Sequence, residues 1–204
     1  MEKFTIEQNK ELCNRMPYLI PRNVFTDEID PDYDYSWTIL DEADEGWRDL
    51  FLQLNEDILP YLIKYNCVNK FRWSQIKEKY GVLCAYNFGA PKEVHDIIMK
   101  YEFLSNYVCS NCGRPVVNGT KYGYGWIYNS CLDCHMFMAT KFHNFNSEQS
   151  INNWFNGLCI DMFDGKMKIE RVKDGTTITE TIDCTNEWNR YCATHEPKTY
   201  RNVF

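Results

Sequence analysis

The sequence predicts an α+β fold, in which helices pack on a small mixed or antiparallel sheet. Three observations point there. Several stretches carry apolar residues at helical spacing, others are short β-branched or aromatic runs broken by tight-turn residues, and two Cys-x-x-Cys pairs stand 18 residues apart in mid-chain. A chain of 204 residues, 16% of them aromatic, has enough apolar surface to bury a core.

Taken in order, residues 1–16 suit a short helix on Phe4, Ile6 and Leu12. "MPYLIPRNVF" is punctuated by Pro17 and Pro21 and reads as an extended connector. From Trp47 the residues Leu50, Phe51, Leu54, Ile58 and Leu62 predict an amphipathic helix over roughly 45–65, with Pro60 expected to kink or disrupt it. The run Val82–Tyr86 favours a strand, paired through "KEKYG" with the stretch before it. Pro91 suits a first helical position, and Val94, Ile97, Ile98, Tyr101 and Leu104 line one face of the helix that follows and runs into Cys109. Val116-Val117 and Trp126–Tyr128 read as two short strands, with Asn118-Gly119 as a turn signal. "NSEQSINNWFNGLCIDMF" reads as a helix capped by Ser147 or Ser150 and ending near Gly157. "KMKIERVKDGTTITETI" is a hairpin about Asp174-Gly175, and "CTNEWNRYC" closes with a helical turn that groups Trp188, Tyr191 and Cys192. The expected organisation is 1–146, with the acidic N-terminal region, the core and the cysteine pairs, and 147–204, a helix, hairpin and short helix packed on the same domain.

The cysteine pairs carry the clearest chemistry. Cys109, Cys112, Cys131 and Cys134 have the spacing of a four-cysteine zinc site, because each pair delivers two sulfurs from one tight turn and Zn²⁺ takes four soft ligands in a tetrahedron. Gly113 fits a turn that needs positive φ. Cys131-Leu-Asp-Cys134-His135 also matches a c-type haem attachment pattern, but that leaves a complete second pair unused, as a redox dithiol would. An HNH-type nuclease finger needs a histidine between its pairs, and residues 113–130 have none. A zinc deaminase needs H-x-E with P-C-x-x-C, which is absent. The expected cofactor is therefore structural Zn²⁺ in a knuckle, residues 109–134, embedded in the fold.

Charge is unevenly spread. The net charge is −7, with −10 in residues 1–60, +4 in 61–150 and −1 in 151–204. Nine acids and no base lie between Phe25 and Trp47. Asp30, Asp32, Asp34 and Asp41, with Ser36, approximate a Ca²⁺ loop, yet Tyr35 stands where glycine is required and Asp41 is short for the bidentate position, so a solvated acidic segment is the better reading. His95 reads as a surface or boundary residue, and His143 and His195 show no partner. Cys13, Cys67, Cys84, Cys159, Cys184 and Cys192 stand singly and read as small buried apolar groups. No run of 18 apolar residues and no secretory h-region appears, which predicts a cytoplasmic protein without a membrane span.

The motifs "GW" (Gly46-Trp47), "QIKEKYG" (Gln75–Gly81), "YEFLS" (Tyr101–Ser105), "CSNCG", "GWI" (Gly125–Ile127) and "CLDC" span roughly residues 35–135. In this set the chain resembles a group of uncharacterised bacterial and phage proteins, and the resemblance implies a prokaryotic or phage origin and a zinc knuckle. With no nucleophile triad or phosphate loop in the sequence, the expected function is a non-catalytic interaction protein of the (host) cytoplasm. It would bind and modulate, even inhibit, a host protein with a basic surface, such as a defence or nucleic-acid enzyme. Asp27, Glu28, Asp30, Asp32, Asp34, Asp41 and Glu42 would form the docking surface. The alternative is a zinc-ribbon nucleic-acid binder using Arg114, Lys121 and Lys141 with Tyr122, Tyr124 and Trp126. An unrecognised enzyme is a third reading.

Overall fold

The computed structural model describes residues 4–23, 25–116, 120–123, 127–142, 158–159 and 163–195. The elements are α1 (Ile6–Arg15), α2 (Arg48–Lys64), β1 (Arg72–Lys79), β2 (Val82–Phe88), α3 (Lys92–Leu104), β3 (Thr120–Gly123), β4 (Ile127–Asn129), α4 (Leu132–Phe142), β5 (Leu158–Cys159), β6 (Lys166–Lys173), β7 (Thr176–Asp183) and α5 (Thr185–Thr194). Strand pairing is antiparallel throughout: β1 with β2, β4-β3-β5 as a three-stranded sheet, and β6 with β7. The fold is α+β with small sheets, and none of the described pairings is parallel.

Local chemistry sets most boundaries. Thr5 and Gln8 form a reciprocal capping box that starts α1. On α2, Leu50, Phe51, Leu54, Ile58 and Leu62 are all fully buried, the stripe that the spacing predicts. Pro60 does not interrupt this helix, which continues to Lys64. The ring lies on the exposed side, where water can serve the carbonyl left without a helical donor. Pro91 is the N-cap of α3 rather than its first residue, with extended backbone at φ −62°, ψ 161°. Both long hairpins turn on two residues of positive φ, Tyr80-Gly81 (53°, 72°) and Asp174-Gly175 (52°, 76°), whose hand matches strand twist. Of the strand expected at Val116-Val117, Val116 is outside any strand and donates to the Tyr107 carbonyl at 2.7 Å, the next described strand being Thr120–Gly123; Val117 and Asn118-Gly119 lie outside the described residues. The expected 147–157 helix also lies outside them.

One core gathers α1, α2, α3, the inner face of β1–β2 and part of the C-terminal segment. Tyr18, Phe71, Trp73 and Phe51 pack as a chain of edge-on and tilted rings at 4.9–5.2 Å. Buried Asn55 satisfies the polar atoms that these rings bring in. Its Oδ1 accepts from Trp73 Nε1 at 2.8 Å, its backbone carbonyl accepts from the Tyr18 hydroxyl at 2.9 Å, and its Nδ2 donates to the Phe51 carbonyl at 2.7 Å. Met167, Ile169, Cys184 and Tyr191 belong to the same core, so β6 and α5 close over it. α5 is further tied to α2 and α3 by Arg190 to Asp57 (2.5 Å) and Lys100 to Glu187 (2.7 Å). Of the single cysteines, Cys13, Cys67 and Cys184 are buried as expected and Cys84 and Cys192 are half-buried.

Asn55→Ala leaves the Trp73 N–H without a buried acceptor and is expected to lower unfolding stability by about 2–3 kcal/mol. Glu56→Ala, removing an exposed ion pair with Arg15, should cost under about 0.5 kcal/mol. Equilibrium urea denaturation of the two variants checks both values.

Candidate metal centre

The first cysteine pair sits on a turn that leaves α3. A 3-10 turn over Ser105–Tyr107 ends the helix, Val108 bridges to Pro115, and the chain reverses between them. Gly113 N–H donates to the Cys109 carbonyl and Cys109 N–H to the Arg114 carbonyl, both at 2.9 Å, which folds the turn around the two sulfurs. Gly113 has φ +72°, as its place after Cys112 predicts. The second pair comes from a different element: Cys131 precedes α4 and Cys134 lies in its first turn, where His135 N–H already donates to the Cys131 carbonyl at 2.9 Å. A helix N-terminus presents free N–H groups and the positive end of the peptide dipoles, which favours thiolate there.

Folding brings the four sulfurs of Cys109, Cys112, Cys131 and Cys134 within 4.8 Å of one another, a group that could hold a metal ion. Cys112 and Cys131 Sγ are 3.7 Å apart, and Cys131 N–H donates to Cys109 Sγ at 3.2 Å. A tetrahedral ion with sulfur bonds near 2.3 Å has sulfur–sulfur edges of about 3.8 Å, so the cluster has the right size. Cys109 and Cys131 are buried, and Cys112 and Cys134 reach the surface. In such a cluster the thiols compete for charge. Hydrogen bonding from Cys109 lowers the Cys112 thiol to about 7, whereas Cys109 and Cys134 are pushed up by their sulfur neighbours. One thiolate forms readily and the next is opposed by it, until a cation at the centre reverses the balance.

Three contacts hold the two halves in register. Ser110 N–H donates to the Asn129 carbonyl at 2.8 Å, Asn111 Nδ2 to Ser130 Oγ at 2.8 Å, and buried Asn129 Nδ2 to the carbonyls of Ser105 and Val108 (3.0 Å for the latter). The start of α2 then locks on from the other side. Gly46 N–H donates to the Ser110 carbonyl at 2.8 Å and Trp47 Nε1 to the Val108 carbonyl at 2.8 Å. A Cβ on Gly46 would sit 2.2 Å from the Cys109 carbonyl oxygen and 2.6 Å from Gly113 N, so only glycine permits this approach. Periodicity gives no sign of this role, although Gly46-Trp47 belongs to the motif set noted above.

α5 braces the same turn: the Tyr191 hydroxyl donates to the Gly113 carbonyl at 2.6 Å. His195, which shows no partner in sequence, stacks on the Tyr191 ring at 4.0 Å and 5°, with Nε2 3.1 Å from Asp49 Oδ2 on α2 and Nδ1 3.0 Å from the Tyr191 carbonyl. The ring faces a cleft of 360 Å³ lined also by Gln53, Glu56 and Arg190. Nδ1 also lies 2.9 Å from Thr194 Oγ1, so both ring nitrogens help to hold the end of α5 against α2.

The seven carboxylates expected as a docking surface divide. Asp27, Glu28, Asp30, Asp32 and Asp34 are exposed. Glu42 is exposed too and accepts from Ile76 N–H at 3.3 Å. Asp41 is half-buried, accepts from Thr38 N–H at 2.9 Å and faces buried Arg48 at 3.5 Å, so it is not available to close a Ca²⁺ loop. Asp30 and Asp34 accept from Asp32 N–H and Ser36 N–H, both at 2.9 Å, as turn-forming side chains, and Tyr35 itself adopts φ +65° where glycine was wanted. Arg114 is 3.9 Å from Asp133. The side chains of Lys121, Tyr122, Tyr124, Trp126, Lys141 and His143 lie outside the described residues, and His95 is exposed on α3. No described helix is long and apolar enough to cross a membrane. No protein-family model, curated protein or solved structure matches this chain.

The Asp49 carboxylate raises the His195 pKa above its ordinary value near 6.5. A raised folded-state pKa adds stability that is full below the unfolded value and lost as pH rises through the folded one. The stability of the wild type relative to His195→Gln should therefore shrink as pH rises from about 6 through the raised folded-state value. Denaturation midpoints of both proteins across that range check it; parallel pH profiles would refute it.

Proposed function

We propose that this is a zinc-stabilised, non-catalytic binding protein whose segment 25–37 docks on a basic surface of a partner protein and modulates it. The metal is assigned as Zn²⁺ because four thiolates at tetrahedral spacing suit it, and four protein ligands leave no open coordination position for a substrate.

The observation that carries the docking assignment is the exposure of this segment. Phe25 is 94% exposed, and Ile29 and Trp37 also stand out from the surface. They are interleaved with Asp27, Glu28, Asp30, Asp32 and Asp34, and turn hydrogen bonds shape the backbone between them. Apolar anchors among like charges fit a partner that offers a pocket inside a basic rim. The resemblance to bacterial and phage proteins supports a host enzyme as that partner, with a cleft that ordinarily receives polyanions.

Capture from native-host lysate on immobilised protein, with nuclease added, should retain a protein partner. With the purified partner, Asp30→Asn, Asp32→Asn and Asp34→Asn together should weaken affinity about tenfold at low salt and flatten its salt dependence, while Phe25→Ala should weaken it about tenfold at any salt. Unchanged affinity in both variants would reject segment 25–37 as the docking surface.

A further inference from the structure

The outer face of the β1–β2 hairpin differs from the rest of an acidic protein. Residues directly opposite in an antiparallel pair share a face, so the register places Arg72 with Phe88, Gln75 with Tyr86, Lys77 with Cys84 and Lys79 with Val82 on one side. Trp73, Ile76, Leu83 and Ala85 are buried on the other. The outward side of β1 thus bears three cations and no carboxylate, and that of β2 bears Tyr86 and Phe88, 42% and 63% exposed. The ammonium groups of Lys77 and Lys79 stand 5.0 and 5.4 Å from the Tyr86 ring centre, and Lys79 Nζ donates to the Tyr86 hydroxyl at 3.0 Å.

At the open end of the hairpin, Arg72 and Phe88 line a cleft of 230 Å³ with Arg22 and Asn23, and Asp27 forms an ion pair with Arg72 at its edge. The face therefore continues from a flat basic and aromatic strip into a concavity that holds a second arginine.

We propose that this face binds single-stranded nucleic acid, with bases stacked on Tyr86 and Phe88 and phosphates along Arg72, Lys77 and Lys79. The two rings are two residues apart on one strand, about 7 Å, which gives neighbouring bases of an extended strand one ring each. Cations on the adjacent strand follow the backbone beside them, the pairing of stacking platform and electrostatic track that such ligands need. An acidic peptide would engage the cations but has no flat group for either ring. The net charge of −7 does not forbid the contact, since exposed charges more than about 8–10 Å away are screened at physiological salt. This surface is separate from segment 25–37 except at the Asp27–Arg72 pair, so it adds a second activity to the function proposed above.

Fluorescence anisotropy of an end-labelled oligo(dT) of about 12 nucleotides, with the full metal-loaded chain, tests it. Binding should fall steeply between about 50 and 200 mM salt. Tyr86→Ala with Phe88→Ala should weaken it about tenfold or more, and Lys77→Gln with Lys79→Gln should reduce the log–log salt slope by about 1.4. All four side chains lie on the outward face, and circular dichroism with metal content confirms that each variant is folded. Absence of oligo(dT) binding at low salt would overturn the proposal. So would binding that the aromatic replacements leave unchanged in folded protein, or equal affinity for a poly-glutamate peptide, which would mark the face as a site for acidic protein.

Discussion

Four thiol sulfurs within 4.8 Å of one another are held together at the cost of mutual repulsion as soon as more than one is ionised. A cation at the centre would turn that repulsion into four bonds, and its binding free energy would become free energy of folding for everything that the four sulfurs connect. Here they connect two elements far apart in sequence, the turn after α3 and the first turn of α4. Among the described residues those elements share a few hydrogen bonds through Ser110, Asn111, Asn129 and the Cys131 N–H, with the Arg114–Asp133 ion pair, and Val116 is the one other buried apolar residue packed with the cysteine cluster.

The surrounding fold meets this centre from two sides. α2 begins where Gly46 and Trp47 meet the Cys109–Gly113 backbone, and the same helix carries the apolar stripe and Asn55 that organise the main core. α5 returns from the end of the described chain to place the Tyr191 hydroxyl on Gly113 and the His195 ring on Asp49. The Gly46, Trp47 and Tyr191 contacts each end on a backbone carbonyl of the turn at 108–113, so displacement of that turn removes the partners of buried groups at the start of α2 and on α5 together. The centre is thus coupled to the core through polar groups that are costly to leave unpaired.

Much of this was legible in the sequence, for physical reasons that differ by element. The helical stripes of α2 and α3 and both two-residue hairpins follow from local periodicity and positive-φ turn chemistry, and the gathering of the four cysteines follows from their spacing. Pro60 lies inside α2 without ending it, since a helix can continue past proline where water reaches the freed carbonyl, which a sequence does not record. Gly46 left no periodic trace because its role is the absence of a side chain at a crossing of two backbones. The Asp49–His195 pair spans 146 positions, and nothing local to either residue announces it. The acidic set was read as one surface because charge counts ignore direction. Asp41 turns inward to the Thr38 N–H and Arg48, while Glu42 and the aspartates at 30, 32 and 34 stay exposed.

The most direct test of the central role of the metal is to measure metal content and tertiary structure on one sample. Elemental analysis of the purified chain, followed by chelation while near-ultraviolet circular dichroism and the tryptophan fluorescence lost on Trp47→Phe are recorded, gives both. One zinc per chain should be found, and its removal should loosen the Trp47 environment and the docking of α5, with recovery on adding zinc back. A metal-free chain at neutral pH that keeps the same tertiary signals and unfolding midpoint would contradict this picture of the fold.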